Sequence, residues 1–432
     1  MHLFKETYFS EIFMTGILYN IVSILTQGLL WPAQWVSPKM AAFIRGRQNS
    51  FEVLEACRKH PGKRLWMHCA SLGEFEQGRP VLEWLRREQP STTIVLTFFS
   101  PSGYSVRKHT HLADIVAYLP WDTKRNAQKF ITLVQPESAF IVKSELWPNY
   151  MTALQSSNIK TYFIAAQFRP NQIFFKPYGG YMTQLLKGMT HIFVQNQKSL
   201  DLLHGIGMTR SSISGDTRFD RVLQQRAGDN TLAFLATFKG QARCIILGSS
   251  WPEDHDIWLE FMNQHASENL KFVIAPHDLA VKEIDRITDL LTPLVVRYDG
   301  NGKTSDQLLM QAKVLVLNTM GDLAKAYQYA DVAYVGGALG TSGLHNILEP
   351  ATFGLPIVIG PNIRKFPEAI DLKTLGGLAI VRNATEVKTL MDHWINNPKA
   401  ADVFSKKALN YVEAHAGATA HITAFISAAD QD

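Results

Sequence analysis

Cysteine is nearly missing from this chain. Three occur in 432 residues, Cys57, Cys69 and Cys244, far apart and without a CxxC pair. That spacing argues against a disulfide framework or a zinc site and points to a reducing compartment. Cys69 and Cys244 lie in apolar, strand-like runs, where a small buried side chain is the expected role. A strong charge imbalance is also missing. The formal net charge is +5, too weak to indicate nucleic acid but compatible with anionic substrates or an anionic membrane surface. No sequence repeat relates the two halves. No small-residue cleavage site follows a short apolar core, so a removable signal peptide is not expected.

One stretch lacks charge altogether. From Ile12 to Pro38, "IFMTGILYNIVSILTQGLLWPAQWVSP" contains no Asp, Glu, Lys or Arg. About 20 mostly apolar residues span a bilayer. The stretch is long enough, although Asn20, Ser23, Thr26 and Gln27 dilute it and Pro32 interrupts it. Lys39, Arg45, Arg47, Arg58, Lys59, Lys63 and Arg64 come next, a basic flank that favours the cytoplasmic side. Residues 1–45 are therefore expected to anchor the chain to a membrane, spanning it or lying in its interface. The alternative is a pair of amphipathic helices packed on the protein itself or facing a partner.

The rest of the chain has ample material for cores. Hydrophobic residues make up 46% and charged residues 19%, a globular balance, and the length favours two or more domains. Short apolar runs alternate with helical spacing: "RLWMHCA", "TTIVLTFF", "DIVAYLP", "SAFIVKS", "KTYFIAAQF" and "HIFVQN" in the first half. A polar helical stretch without strands intervenes. The alternation then resumes with "RCIILGSS", "LKFVIAPH", "PLVVRYDG", "VLVLNTM", "DVAYVGG", "LPIVIGP" and "GGLAIVRN". Such alternation predicts parallel sheets covered by helices. The fold class is α/β, with two doubly wound, Rossmann-like domains, residues 46–225 and 226–432, the second ending in a C-terminal helix. Two such domains are expected to face a cleft bounded by the carboxyl ends of both sheets.

The chemistry-bearing residues cluster at strand ends. In the second half, "IILGSS" ends in Gly248, Ser249 and Ser250, and "FVIAPH" in Pro276 and His277. "VAYVGGALGTSGLHNILEPATFGLP" runs from a strand through Gly336, Gly337, Gly340 and Gly343 toward a helix expected near Leu344. The glycines are expected to leave backbone N–H groups open to a ligand, and the helix start to favour a phosphate. Asn346 and Glu349, three apart, are expected to share a helix face, and the carboxylate suits a pair of ribose hydroxyls. His345 and Glu349 have the spacing of a metal pair, but no third ligand is evident, so no metal is expected. In the first half, "HCASLGEFEQGRP" places Glu74 on a strand-to-helix turn, and "IVKSELWPN" places Lys143 and Glu145 past another strand. Glu74 reads as a capping acid or a general base. Glu145 reads as a structural acid or an acceptor contact. His68 is expected to be a satisfied strand-end histidine.

Taken in order, "HCASLGEFEQGRP", "SELWPN", "SGDTRFDRV", "GSSWPED", "IAPHDL" and "GGALGTSGLHNILEPATFGLPIVIGPN" resemble the motifs of the 3-deoxy-D-manno-octulosonic-acid (Kdo) transferases. The resemblance implies a GT-B glycosyltransferase fold and transfer of Kdo from CMP-Kdo to a lipid A precursor in lipopolysaccharide biosynthesis. It also implies attachment to the cytoplasmic face of the inner membrane and no metal requirement; no cofactor and no nucleic-acid partner are expected. On that resemblance Glu74 is the catalytic base; its place at a helix N-terminus is expected to favour its ionised form. Pro276, His277, Gly336, Gly337, Asn346 and Glu349 fall in nucleotide-binding segments. The chain departs from the family pattern in lacking an Arg between Pro276 and His277 and in carrying Lys143 where many members have an acid. Within the same architecture the alternatives are a UDP-sugar epimerase or glycosyltransferase, or a membrane-tethered nucleotide-sugar-binding protein without turnover.

Overall fold

The structure, a computed structural model, describes residues 2–429, with side chains from Gly16 onward except Lys39. The chain forms two compact units, Met1–Arg221 with Ala416–Asp432, and Val222–His415.

The first unit holds a seven-stranded parallel sheet. Its strands are β1 (Arg64–Cys69), β2 (Thr93–Phe98), β3 (Ile115–Tyr118), β4 (Ser138–Val142), β5 (Lys160–Ala166), β6 (His191–Val194) and β7 (Ser211–Ile213), in the order β3-β2-β1-β4-β5-β6-β7. β2 and β4 are buried along their whole length, because helices cover both faces. That is why they read as unbroken apolar runs and not as alternating ones. β7 is an addition to the expected strands. Its "SSI" edge is only partly covered and carries no apolar run to announce it.

The second unit repeats the plan with β8 (Arg243–Ser250), β9 (Leu270–Pro276), β10 (Val295–Tyr298), β11 (Val314–Leu317), β12 (Val332–Val335), β13 (Ile357–Ile359) and β14 (Leu378–Ile380). The order is β10-β11-β9-β8-β12-β13-β14, again with parallel pairing. Strand order reverses between β1 and β4 in the first sheet and between β8 and β12 in the second. At such reversals the flanking loops diverge and leave room for a ligand.

The C-terminus corrects the expected division. The Pro398–Ala414 helix stays with the second unit, but the Ala418–Ala429 helix belongs to the first. Ile422 and Ile426 pack in one apolar cluster with Val81, Leu82 and Leu85. Asp220 holds the start of this helix, accepting from the Gly417 and Thr419 N–H groups, both at 2.6 Å. The chain therefore crosses between the units twice.

The N-terminus is a continuous helix, His2–Leu30, followed by a 3-10 turn, Trp31–Trp35. Gly16–Trp35 is long and apolar enough to cross a membrane. One side of the helix is docked on the first unit: the Tyr19 hydroxyl donates to Asp122 Oδ2 at 2.7 Å and the Ser23 hydroxyl to the Asp122 carbonyl at 2.8 Å. Leu18, Val22, Leu25 and Leu29 point outward and are exposed.

Candidate active site

Glu74 is positioned by the turn after β1. Ser71 caps the Leu72–Glu88 helix, its hydroxyl accepting the Glu74 N–H at 3.4 Å. The Glu74 carboxylate returns along the turn, and Oε2 accepts the Ala70 N–H at 2.5 Å. The capping geometry is thus present, and it holds the side chain still. Behind it, the "SGDTRFDRV" segment braces the same helix: Gln77 Nε2 donates to Asp216 Oδ1 at 3.2 Å, and the Thr217 hydroxyl donates to the Gln77 carbonyl.

The electrostatics reverse one expectation, that the helix start keeps Glu74 ionised. Its pKa is instead raised to about 7, first by burial and then by the charge of Glu145, against the opposing pull of Lys143 and the Ala70 N–H. Only 5% of Glu74 is exposed, so desolvation outweighs the helix start. Lys143 and Glu145 reach this neighbourhood because β4 pairs directly with β1. Burial raises the Glu145 pKa too, and Lys143 lowers it. Lys143 sits at φ 64°, a left-handed conformation that a lysine rarely adopts. Its N–H is held by the Ile164 carbonyl at 2.9 Å.

His68 is the satisfied histidine expected. Trp147 Nε1 donates to its Nε2 at 3.2 Å, which leaves Nδ1 to donate to Thr97 Oγ1 at 2.9 Å. Burial lowers its pKa to about 3, so it stays neutral.

In the second unit, β8 ends in a bulge between Gly248 and Ser250, with Ser249 at φ 50°. Ser250 is buried and bonds His255 Nε2 at 2.8 Å, so its side chain serves the turn. Gly336 has no room for a side chain: a Cβ there would meet the Ser249 carbonyl oxygen at 2.5 Å. Gly337 has φ 92°. Three of the four glycine N–H groups in this loop are not open to a ligand as expected. Gly336 donates to the Gly248 carbonyl, Gly343 to the Gly337 carbonyl and Gly337 to Asp254 Oδ2. These glycines permit close packing of β12 against β8.

The helix after this loop is shorter and later than expected. It spans Leu348–Thr352, a single turn with little dipole to offer. Asn346 lies outside it and accepts the Leu348 N–H at 3.2 Å, while its Nδ2 donates to Glu349 Oε1 at 3.1 Å. The pair is joined by that bond and not by a shared helix face.

Three residues add to the expected set. Asp254 is buried and ties the loops together, accepting from the Trp251 N–H and the Gly337 N–H, each at 2.9 Å, and from the Tyr334 hydroxyl. Its signal is "WPED", a proline at the first helical position with an acid two residues on. Trp251 stacks on the exposed His277 with centroids 4.3 Å apart, and its Nε1 donates to His345 Nε2 at 3.2 Å. His345 is kept neutral, with burial and then His277 lowering its pKa to about 4. No spacing rule brings these rings together, because they come from the ends of three different strands.

Residues 45–221 match the family model described as 3-deoxy-D-manno-octulosonic-acid transferase (kdotransferase). The chain is 25% identical to the 3-deoxy-D-manno-octulosonic acid transferase of Haemophilus influenzae over 77% of each chain. It is also 25% identical to that of Aquifex aeolicus, over 79% of this chain and 89% of the relative. In fold it is similar to the UDP-GlcNAc 2-epimerase of Neisseria meningitidis, with a TM-score of 0.57, 13% identity, and 84% of this chain and 99% of that one covered. Two doubly wound parallel sheets, each with its polar residues at the reversal of strand order, make this a GT-B fold. Within that class, residues 45–221 are similar to the 3-deoxy-D-manno-octulosonic-acid transferase family, and the relatives matched over most of the chain carry that name.

Proposed function

We propose that the protein transfers Kdo from CMP-Kdo to the tetraacylated lipid A precursor, with inversion, at the cytoplasmic face of the inner membrane. The observation that carries this reading is Glu74, a fixed, buried carboxyl with a pKa near 7 in the segment matched by the family model. A general base works best when its pKa lies near the working pH. Glu74 takes the proton of the acceptor hydroxyl as that oxygen bonds to the anomeric carbon. The bond from that carbon to the phosphate oxygen breaks, and CMP leaves with the electron pair. Lys143 favours the ionised base, and Glu145 keeps it from being too weak. Turnover should therefore rise as the pH passes about 7 and level off above it. A rate–pH profile that is flat across neutrality contradicts the assignment.

For the donor, the Trp251–His277 stack supports base or sugar contact, and Glu349, oriented by Asn346, supports recognition of the ribose hydroxyls. Glu349→Gln is expected to weaken CMP binding by roughly 1.5–3 kcal/mol, the range for hydrogen bonds to a charged group. Isothermal titration that finds CMP affinity unchanged in a folded variant removes Glu349 from the site. CMP should raise the melting temperature more than UDP does. The reverse order favours an enzyme acting on a UDP-sugar. The apolar Gly16–Trp35 segment supports membrane attachment, and the basic residues after it support the cytoplasmic side.

A further inference from the structure

A groove of about 1240 Å³ lies in the first unit. The N-terminal helix forms one wall, through Ile17, Ile21 and Ile24. The Lys124–Val134 and Pro148–Ser156 helices form the other, through Ile131, Ala153 and Ser156. The groove is larger than the roughly 300–1,000 Å³ of a typical small-molecule site, and it is mostly apolar. Its apolar wall continues into the outward face of the same helix, where Leu18 is 61% and Leu29 79% exposed. A slot that opens along an apolar helix face suits a hydrocarbon chain entering from a bilayer.

The two ends of the groove differ. Lys124 and Arg125 line one end, in the first turn of a helix capped by Thr123. Both are exposed, and neither makes an ion pair or hydrogen bond to any described residue. The start of an eleven-residue helix adds its own positive end to theirs. The carboxylate nearest in sequence, Asp122, is already engaged by the Tyr19 hydroxyl and by the Asn149 and Tyr150 N–H groups. The far end, at Thr132 and Ser156, carries no charge. Two cations that are unpaired among the described residues, at one end of an apolar slot, are complementary to one kind of molecule, an acyl chain bearing an anionic head.

We propose that this groove holds an acyl chain of an anionic membrane phospholipid, with its phosphate against Lys124 and Arg125. The site is separate from Glu74 and the donor residues, and the proposal does not rest on the transferase reading. The lipid would fill the gap between the N-terminal helix and the first unit.

The test is native mass spectrometry of the full chain titrated with phosphatidylglycerol and, separately, with phosphatidylcholine. Phosphatidylglycerol should be retained in preference to phosphatidylcholine. Lys124→Glu with Arg125→Glu should lower its affinity roughly tenfold or more, from the attraction of each basic side chain to an anionic lipid. The same change should leave phosphatidylcholine retention unaltered. Ser156→Trp, at an exposed position inside the groove, should lower retention of both lipids. Lys399→Glu with Lys406→Glu, on exposed lysines of the second unit, should change neither. Thermal melting of each variant checks folding, and the charge variant alone suffices if the tryptophan is not tolerated. Equal retention of the two lipids by the native chain overturns the proposal. So does equal loss in the Lys399/Lys406 control, or unchanged retention in both groove variants.

Discussion

Glu74→Gln should lower transfer to the lipid by about 10²–10⁴-fold, the usual contribution of a general base, and leave CMP affinity unchanged. Glutamine has the same length and its oxygen can still accept the Ala70 N–H, so the turn after β1 keeps its shape. It cannot take a proton at neutral pH. Stability should move the other way. The folded chain holds the Glu74 carboxyl at a pKa of about 7, above the ordinary 4.5. The protonated side chain is therefore favoured by folding. That contribution is complete below the ordinary value and is lost as the pH rises through about 7. Glutamine does not titrate, so the variant should gain stability relative to the native chain between about pH 5 and about pH 8. A residue that served only as a cap would behave otherwise. Its replacement would lower stability by around 1 kcal/mol and leave turnover mostly intact. Melting curves at the two pH values, set beside single-turnover rates, separate the two patterns.

Asp254→Ala should be the most damaging change in the second unit. It orphans the part-buried Trp251 N–H, the buried Gly337 N–H and the buried Tyr334 hydroxyl. Each unpaired group costs roughly 1–3 kcal/mol. Relief of a buried charge offsets part of this, because burial already raises the Asp254 pKa. The turn after β8 and the glycine loop after β12 then lose their common tie. With them goes the stack of Trp251 on His277, so CMP binding should weaken along with the melting temperature. Asp254→Asn keeps an acceptor oxygen and should fall between the native chain and the alanine variant. An alanine variant that melts like the native chain and binds CMP normally contradicts the tying role of Asp254.

The contrast between these two acids shows what a sequence reveals. Glu74 is legible in local order: a strand, a small-residue turn and a helix. Its protonation is not, because that depends first on burial and then on Glu145, brought close by the pairing of β4 with β1, segments far apart in the chain. Asp254 carries a local signal of its own, yet its importance comes from Gly337 and Tyr334, brought close by the pairing of β12 with β8. The doubly buried strands are legible because helices on both faces require unbroken apolar runs. β7 is hidden, since an edge strand needs no such run. In "ATAHITAFISAA" nothing local says which sheet the helix covers; Asp220 and the Val81–Leu85 surface decide that. The glycine loop departs from what its spacing suggests. Glycines at that spacing promise N–H groups held open for a phosphate, whereas the fold satisfies those of Gly336, Gly337 and Gly343 internally and Asn346 delays the helix.

Turnover with one donor and one acceptor is what the proposed enzyme must show. Full-length protein incubated with CMP-Kdo and the tetraacylated lipid A precursor should yield a lipid heavier by one or more Kdo residues by mass spectrometry, with release of CMP. The product should be absent when CMP-Kdo is omitted and nearly absent with Glu74→Gln. Unmodified lipid after incubation with native, CMP-binding protein, or equal product from the Glu74→Gln variant, would contradict it.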